Sequence, residues 1–426
     1  MENHQNQVNT IKKDKVIIIG LFIDSPCSNH SYQINELEQL VNTLGGVVID
    51  KMIQYRKNID PKFYIGKGKL QSILRYALEV GCKYVVINND ISPGQIKNIQ
   101  SFFKDKIFIK DRTGIILDIF EKHARTREAK TQVKLAQLEY LLPRLTRQWT
   151  HLERQMGGIG TRGGPGETQI EIDRRLIRDQ IIKLKKELIK ISNNRKVQKK
   201  NRKNIYKVSL VGYTNAGKST FMQKISQKKT YIKDELFATL DTKTKKVYID
   251  KNRYFILSDT VGFIRNLPDN LIASFRSTLG ELIDSDLLLK IIDISSDEYE
   301  MHLQSIENVL EYLKINHKKY LIIFNKIDIL ENKKLIKNLK ILYPDSLFIS
   351  SNKGSGINSV ILKIKKIMNE GNINKIINLP YDKFHFVDRL YTDFTVLNRE
   401  DKKNNMKFKV FGNKNKINKI ISEIKK

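Results

Sequence analysis

The residues from Gly212 to Ser219 combine glycine, lysine and serine in the spacing GxxxxGKS. Glycines allow backbone N–H groups to wrap a phosphate, the lysine reaches the β- and γ-phosphates, and the serine hydroxyl ligates Mg²⁺. The segment follows the apolar run KVSLV and precedes a helical pattern, which is the context that a phosphate-binding loop requires. We predict nucleotide contacts from Gly212, Tyr213, Thr214, Asn215, Ala216, Gly217, Lys218, Ser219 and Thr220, with Lys218 catalytic and Ser219 a metal ligand.

A second motif, DTVG, begins at Asp259, 41 residues after Lys218 and directly after the strand pattern RYFILS. Asp259 can hold Mg²⁺ through a water molecule, and the N–H of Gly262 can sense the γ-phosphate. The motif alone is a weak signal, but its position behind a strand and downstream of a phosphate loop favours this function. We predict that Asp259 contacts metal and nucleotide, and that Gly262 contacts nucleotide and acts in catalysis.

A third motif, NKID, follows the apolar run YLIIF, and Ser350 stands 25 residues after Asn325, behind the strand pattern SLFIS. A carboxylate at Asp328 can accept from both N1–H and the exocyclic amine of guanine. Adenine has no such donor pair and would leave the carboxylate unpaired. We predict guanine-nucleotide contacts from Asn325, Lys326, Asp328, Ser350 and Ser351, with Lys326 along the plane of the base.

In this order the motifs span Gly212–Ser351 and resemble the G domain of translation-factor-type GTPases. The resemblance implies GTP as substrate and Mg²⁺ as metal. It places switch I at LFATLDTKT (Leu236–Thr244), so that Thr239 would be a Mg²⁺ ligand and a catalytic residue. The alternative for Thr239 is an ordinary position in a surface loop.

Phe263 follows Gly262 where many small GTPases have a glutamine that orients the attacking water. Because an apolar side chain cannot orient water, we expect slow hydrolysis by the isolated protein, with help from a partner or a cation. Asn215 resembles the asparagine that binds K⁺ in potassium-stimulated GTPases, so it is a candidate K⁺ ligand. The alternative is that Asn215 only stabilises the loop by a local hydrogen bond.

The fuller set of motifs resembles the bacterial HflX GTPase family. The resemblance rests on GYTNAGKST, FATLD, DTVGF and NKID, on the glycine-rich GGIGTRGGPGETQIEIDRR (Gly157–Arg175), and on FYIGKGKL and DRTGIILDIF further upstream. It implies binding to the large (50S) ribosomal subunit and its RNA, GTP hydrolysis stimulated by the ribosome, and splitting of stalled or idle ribosomes under stress. Two departures from the family pattern are Thr242 in place of proline and Ser351 in place of alanine.

The elements that position these motifs predict an α/β fold with four parts. Short apolar runs alternating with helical patterns indicate a small parallel α/β domain over residues 1–120. Two apolar stripes, one from Leu138 to Met156 with a kink at Pro143 and one from Ile177 to Ile191, indicate a long antiparallel helical hairpin over residues 121–204, with Thr168 and Glu171 capping its second helix. A P-loop GTPase domain with a mostly parallel sheet follows over 205–372. A small α+β domain closes the chain over 373–426, with strand-like KFHFVD and MKFKVF.

The charge of the chain is strongly basic, with 77 Lys and Arg against 46 Asp and Glu, a net charge of +31. Of the 19 arginines, 11 fall between residues 121 and 205, and such clustering favours a segment that contacts phosphates. We therefore predict RNA contacts from Arg162, Arg174 and Arg175, with the glycine-rich loop Gly157–Gly166 approaching RNA closely. The alternative for this loop is a connector without contacts.

Several classes of protein are disfavoured by composition. No run reaches the roughly 18–20 apolar residues of a bilayer span, and the polar N-terminal stretch has no secretory-signal pattern. Cys27 and Cys82 lie in no disulfide or zinc spacing. We expect a monomeric cytoplasmic protein.

Two rival functions remain open at this point. The first is a GTPase of ribosome assembly or tRNA modification, which would use the same nucleotide site on a different RNA. The second is an RNA-remodelling module powered by ATP in the N-terminal domain, where Ile65–Lys69 (IGKGK) precedes a helix and could bind an anion. The alternative for Ile65–Lys69 is a simple helix start.

Overall fold

A computed structural model describes most of the chain. The described residues are 14–23, 28–104, 106–145, 169–199, 205–226, 237, 243–250, 253–265, 279–330, 332–402 and 404–425. Within them, no helix is long and apolar enough to span a membrane.

The N-terminal part contains a parallel sheet and helices, as predicted, and the helices lie on both faces of the sheet. Its strands are β1 (Lys15–Phe22), β2 (Val47–Tyr55), β3 (Tyr84–Ile87) and β4 (Phe108–Asp111), in the order β2-β1-β3-β4. Its helices are α1 (Ser28–Leu44), α2 (Lys67–Glu79), α3 (Pro93–Phe102) and α4 (Arg112–His123). The central strands are apolar on both faces because each face packs against helices, and two separate cores result.

A pair of helices follows, α5 (Arg127–Leu141) and α6 (Gln169–Lys199). Leu135 and Leu138 pack in one core with Ile177 and Ile181, so the predicted apolar stripes meet. The expected kink at Pro143 is instead a helix end: α5 stops at Leu141, and Pro143 lies in a short 3₁₀ turn. Proline cannot donate to the preceding turn, and its ring clashes with the carbonyl four residues earlier. The stripe residues Trp149, Leu152 and Met156, and the predicted cap Thr168, lie outside the described residues.

The third part contains a six-stranded sheet in the order β10-β9-β8-β5-β7-β6. The strands are β5 (Lys207–Gly212), β6 (Lys243–Asp250), β7 (Arg253–Asp259), β8 (Leu287–Asp293), β9 (Tyr320–Asn325) and β10 (Leu347–Phe348). All pairings are parallel except that of β6 with β7. The helices are α7 (Lys218–Ile225), α8 (Gly280–Ile283), α9 (Tyr299–Tyr312), α10 (Lys333–Leu342) and α11 (Ile357–Asn369), and they enclose two cores. The three predicted motifs begin where β5, β7 and β9 end, so parallel pairing brings them to one edge of the sheet.

The C-terminal part is a three-stranded antiparallel sheet covered by two helices. It contains β11 (Asn372–Pro380), α12 (Phe386–Asp393), β12 (Thr395–Asp401), β13 (Asn405–Asn413) and α13 (Lys414–Lys425), with strand order β11-β13-β12. The strand prediction for MKFKVF is confirmed, and that for KFHFVD is wrong. Phe386, Val387 and Leu390 are buried together on one face of α12. The helical period extends past the hexapeptide to Leu390 and therefore was not visible within it.

The N-terminal sheet and the six-stranded sheet share a core. Tyr213, Phe237, Val261 and Ile264 pack in the same apolar cluster as residues of α1 and α4. Phe237 meets the ring of Phe120 edge to face, with ring centroids 4.8 Å apart. The phosphate-loop side of the six-stranded sheet therefore rests directly on the N-terminal part.

Candidate functional site

The loop after β5 requires glycine at two positions. Gly217 has φ of +88°, and a Cβ there would lie 2.3 Å from Nδ2 of Asn325. A Cβ at Gly212 would lie 2.4 Å from the carbonyl oxygen of Ile291 on the neighbouring strand. A side chain at Gly212 would press on neighbouring backbone, and one at Gly217 would need a strained left-handed residue and would displace the Asn325 side chain, which explains the glycines of the predicted motif.

Lys218 begins α7 and is buried, with 6% of its surface exposed. Its Nζ donates to the carbonyl oxygens of Gly212 (3.0 Å) and Tyr213 (2.7 Å), which closes the loop around the ammonium group. Burial lowers the pKa of Lys218 to about 8, although the nearby carboxylate of Asp259 opposes this shift. A buried cation at a helix N-terminus is well suited to a phosphate group.

Ser219 and Asp259 bring a hydroxyl and a carboxylate together beside the loop. The Ser219 Oγ donates to Oδ2 of Asp259 at 2.7 Å, and Asp259 is fully buried at the end of β7. No group of three or more His, Cys, Asp or Glu side chains that could hold a metal occurs within the described ranges. A hydroxyl and one carboxylate suit Mg²⁺, which prefers oxygen ligands and keeps waters or substrate phosphates as further ligands. The donor set fits the predicted metal.

The DTVG segment lies against the phosphate loop. Phe263 N–H donates to the carbonyl of Gly212 (3.0 Å), and Thr214 N–H donates to the carbonyl of Phe263 (2.7 Å). Gly262 is held so close that a Cβ there would lie 3.1 Å from Nζ of Lys218. The side chain of Phe263 is 1% exposed and packs in the apolar core with Leu279, so it does not face the loop.

The NKID segment is tied to both neighbouring loops. Asn325 is buried, its Nδ2 donates to the carbonyl of Ala216 (2.8 Å), and its Oδ1 accepts from the N–H of Ser351 (2.9 Å). The Nζ of Lys326 pairs with Oδ2 of Asp293 at 2.7 Å. Asn325 therefore fixes the relative position of the phosphate loop and the loop that contains Ser351.

Asp328 projects from the same loop as an ionised acceptor. A hydrogen bond from the hydroxyl of Ser350 holds the pKa of Asp328 below its usual range, with a smaller contribution from Lys353 and Lys326. Ser350 itself is fully buried. A carboxylate that stays ionised at neutral pH suits the two donors of a guanine edge.

The structure brings most of the predicted residues to one edge of the six-stranded sheet: Gly212, Tyr213, Thr214, Asn215, Ala216, Gly217, Lys218, Ser219, Thr220, Asp259, Gly262, Asn325, Lys326, Asp328, Ser350 and Ser351. Thr239, Arg162 and the loop Gly157–Gly166 lie outside the described residues. Arg174 and Arg175 are exposed on α6.

Sequence reasoning missed several partners of this site. Asp293, which pairs with Lys326, ends β8 and carries no motif. The ring of His302 on α9 stacks on Tyr213, with centroids 4.0 Å apart. Glu36 of α1 accepts a hydrogen bond from the Tyr213 hydroxyl across 177 residues of chain. The only available signal was the position of Asp293 at a strand end; the others depend on the packing of the two sheets.

Comparisons with known proteins agree with this geometry. Residues 31–121 match the family model of the GTP-binding GTPase N-terminal region, and residues 123–202 match that of the GTP-binding GTPase middle region. Residues 207–326 match the family model described as 50S ribosome-binding GTPase.

Two curated relatives cover most of the chain. The GTPase HflX of Flavobacterium psychrophilum is 46% identical over 320 residues, which are 75% of this chain and 76% of the relative. The GTPase HflX of Escherichia coli is 37% identical over 361 residues, 84% of each chain. The chain belongs to the HflX family of GTPases. As a member of the HflX family, it binds guanine nucleotide and hydrolyses GTP to GDP and phosphate.

A solved structure with similar coverage is that of a GTP-binding protein from Sulfolobus solfataricus in complex with GDP. It is 26% identical, covers 83% of this chain and 98% of its own, and has a TM-score of 0.44. The HflX assignment rests on the family models and on the curated relatives.

Proposed function

We propose that this HflX-family GTPase acts on the large ribosomal subunit and uses GTP to split or rescue stalled and idle ribosomes under stress. The observation that carries the proposal is the clustering of arginine in the segment that holds the helical pair α5 and α6. Within it, Arg174 and Arg175 are exposed one turn from the start of α6. Guanidinium groups bind phosphate oxygens in pairs, which suits ribosomal RNA.

Each of the proposed site residues has a distinct role in GTP hydrolysis. Lys218 and the backbone N–H groups of the phosphate loop stabilise negative charge on the phosphates. Ser219 and Thr239 would hold Mg²⁺ directly, with Asp259 behind them through water, and the metal when bound neutralises charge on the phosphate oxygens. Gly262 reads the γ-phosphate by its N–H, and Asp328 selects guanine.

A group other than the Phe263 side chain must orient the attacking water, because that side chain is buried in the core. We propose the ribosome as the main source of this help. A K⁺ ion bound at Asn215 is a second source. Asn215 lies inside the phosphate loop and has φ of +59°, a left-handed backbone conformation that few residues other than glycine adopt.

The experiment is sedimentation of ribosomes with the full-length protein and GTP, a non-hydrolysable GTP analogue or GDP. We expect the protein to travel with large subunits when the γ-phosphate is present, and 70S particles to dissociate. GTP turnover should rise when large subunits are added. Binding to free tRNA or to assembly precursors, but not to finished ribosomes, would instead favour a role in RNA modification or ribosome assembly.

Matched variants locate the RNA contacts. The double variant Arg174→Ala, Arg175→Ala should lower the slope of log ribosome affinity against log salt concentration by the amount expected for about two lost phosphate contacts. Basal GTP turnover should be unchanged. Shortening Gly157–Gly166 together with Arg162→Ala should abolish stimulation by ribosomes. The control is Lys366→Ala, a basic position on α11 in the GTPase part. Unchanged binding and stimulation in both test variants would reduce the segment to a connector.

The same proposal includes four domains with boundaries at 1–120, 121–204, 205–372 and 373–426, and a cytoplasmic monomer. Limited proteolysis and light scattering of the purified full chain test the boundaries and the monomer.

A further inference from the structure

Tyr213 belongs to the phosphate loop, but its ring lies in the interface with the N-terminal part of the protein. The ring is 3% exposed and stacks on the imidazole of His302 at 4.0 Å, with 19° between the ring planes. It packs in the apolar cluster that includes residues of α1 and α4. The hydroxyl of a tyrosine with a buried ring usually has hydrogen-bond partners, and these partners show which segments the tyrosine connects.

The hydroxyl of Tyr213 has two partners. One is the carboxylate oxygen Oε1 of Glu36 on α1. The other is the backbone N–H of Arg265, at 2.7 Å, three residues beyond the predicted γ-phosphate sensor Gly262. A carboxylate can only accept and an N–H can only donate, so the direction of both bonds is fixed: the hydroxyl donates its proton to Glu36 and accepts from Arg265.

Glu36 is itself anchored inside the N-terminal part. Its other carboxylate oxygen pairs with the guanidinium of Arg112 at the start of α4, and both side chains are buried. Arg112 also reaches Oδ1 of Asn88, at 3.4 Å, at the end of β3. The pair holds the Glu36 carboxylate in a fixed direction, because a buried carboxylate without a cation would be costly. The acceptor for Tyr213 is therefore held by two helices of the N-terminal part, α1 and α4.

The Glu36–Tyr213 hydrogen bond, called the anchor below, helps to hold the segment that begins with Gly262. Backbone hydrogen bonds hold Phe263 to Gly212 and Thr214, and the Tyr213 hydroxyl holds Arg265. Together they fix the backbone on the C-terminal side of Gly262. Gly262 is held beside the ammonium group of Lys218, for which we propose contacts to the same phosphates.

We propose that Tyr213 and Glu36 are positioning residues for GTP hydrolysis: the N-terminal carboxylate orients the tyrosine hydroxyl, which holds Arg265 and so places Gly262 for the γ-phosphate. This inference rests on the role proposed for Gly262. Ordering the segment in advance lowers the entropy lost when the γ-phosphate binds. GDP has no γ-phosphate, so the anchor favours GTP over GDP.

The test compares full-length Tyr213→Phe and Glu36→Gln with wild type. Tyr213→Phe keeps the ring and leaves the Arg112–Glu36 pair intact, so it is the cleaner variant. We measure dissociation constants for GDP and for a non-hydrolysable GTP analogue, kcat for GTP, and hydrogen exchange of the amides around Arg265. We expect the preference for the GTP analogue over GDP to fall by about five- to tenfold, with GDP affinity nearly constant, kcat lowered and amide exchange faster.

The matched control is Tyr140→Phe. Its hydroxyl donates to Oδ1 of buried Asp111 at 2.6 Å, so the variant loses the same kind of bond between α5 and the end of β4, one in which neither Tyr213 nor Arg265 takes part. We expect its GTP-analogue preference and its exchange near Arg265 to match wild type. A similar fall in this control would mean that general loss of stability, and not positioning, changes nucleotide preference, and would overturn the inference.

Gly262→Ala separates failure of the inference from failure of the role on which it rests. A Cβ at this position would lie 2.9 Å from Cγ2 of Thr214 and would displace the segment. If Gly262→Ala loses the preference for the GTP analogue but Tyr213→Phe keeps it, the anchor has no part in positioning and the inference is wrong. If both variants keep it, the proposed role of Gly262 fails as well.

Discussion

Two segments of the chain combine glycine with lysine at the start of a helix, Gly212–Ser219 and Ile65–Lys69, and the structure builds them differently. In the first, Gly217 is left-handed, and a Cβ at Gly217 would collide with Asn325. In the second, Gly66 has φ of −63°, and a Cβ at Gly68 meets no described heavy atom within 4 Å.

The lysines differ in the same way. Lys218 is buried and donates to two carbonyl oxygens of its own loop, whereas Lys67 at the start of α2 is exposed. Glycine next to lysine therefore indicates a phosphate loop only where the backbone has no room for another residue. The Ile65–Lys69 segment fits an ordinary helix start, the alternative to a second nucleotide site.

The largest difference between the two segments is expected when a glycine in each is replaced by alanine. Gly217→Ala must strain a left-handed residue and push against Asn325, so GTP affinity should fall by roughly 100-fold or more. Gly68→Ala should leave affinity unchanged. Isothermal titration with GTP checks both, and melting temperatures control for folding. A comparable loss in Gly68→Ala would show that the N-terminal segment takes part in nucleotide binding.

A large effect is also expected at the guanine end of the site. Asp328→Asn replaces an acceptor-only carboxylate with an amide, whose oxygen can still accept from N1–H but whose NH₂ group then faces the exocyclic amine of guanine, donor against donor. GTP affinity should fall by about 10- to 100-fold, and xanthosine triphosphate should gain affinity, because its base has a carbonyl oxygen in place of that amine and can accept from the amide. Competition titrations measure both nucleotides. Wild-type affinity for GTP in this variant contradicts the assignment.

The buried lysine predicts a pH dependence of about tenfold per unit. The pKa of Lys218 is lowered to about 8, and phosphate binds the ammonium form. Affinity for GTP should therefore weaken as pH rises above about 8, by roughly a factor of ten for each unit. Stability should move oppositely: between about 8 and the ordinary lysine value the unfolded chain holds more protons, so folding strengthens as pH rises. Titrations at pH 7, 8 and 9 test the first effect, and a flat profile contradicts it.

The smallest expected effect is stimulation of GTP turnover by K⁺ bound at the phosphate loop. If Asn215 binds K⁺, GTP turnover in KCl should exceed that in NaCl at equal ionic strength by several-fold, on the scale of one electrostatic contact to the phosphates. The stimulation should vanish in Asn215→Ala. Equal rates in both salts, with or without large subunits, would leave the ribosome as the sole activator.

The fold class and most of the candidate site were predictable because they depend on local features. Strand patterns placed the three motifs at strand ends, and parallel pairing then had to gather them at one edge. Two local predictions were wrong, for different reasons. KFHFVD alternates like a strand over six residues, and Leu390, the residue that shows its helical period, lies beyond it. At Pro143 a kink was expected, but the missing N–H and the ring of proline end α5 instead.

The sequence alone determined which groups are available: a glycine loop, a lysine, a serine, carboxylates and a guanine motif, each at a spacing that short-range geometry imposes. Only the tertiary structure decided how these groups are held. Asn325 ties the phosphate loop to the loop of Ser351, and Glu36 reaches Tyr213 across 177 residues of chain. The Asn325 bonds join loops that parallel pairing gathers at one edge of a sheet, and the Glu36 bond joins two separate α/β parts. The partners in such contacts lie far apart in the chain and leave no periodic signal, and burial then makes each hydrogen bond and ion pair obligatory.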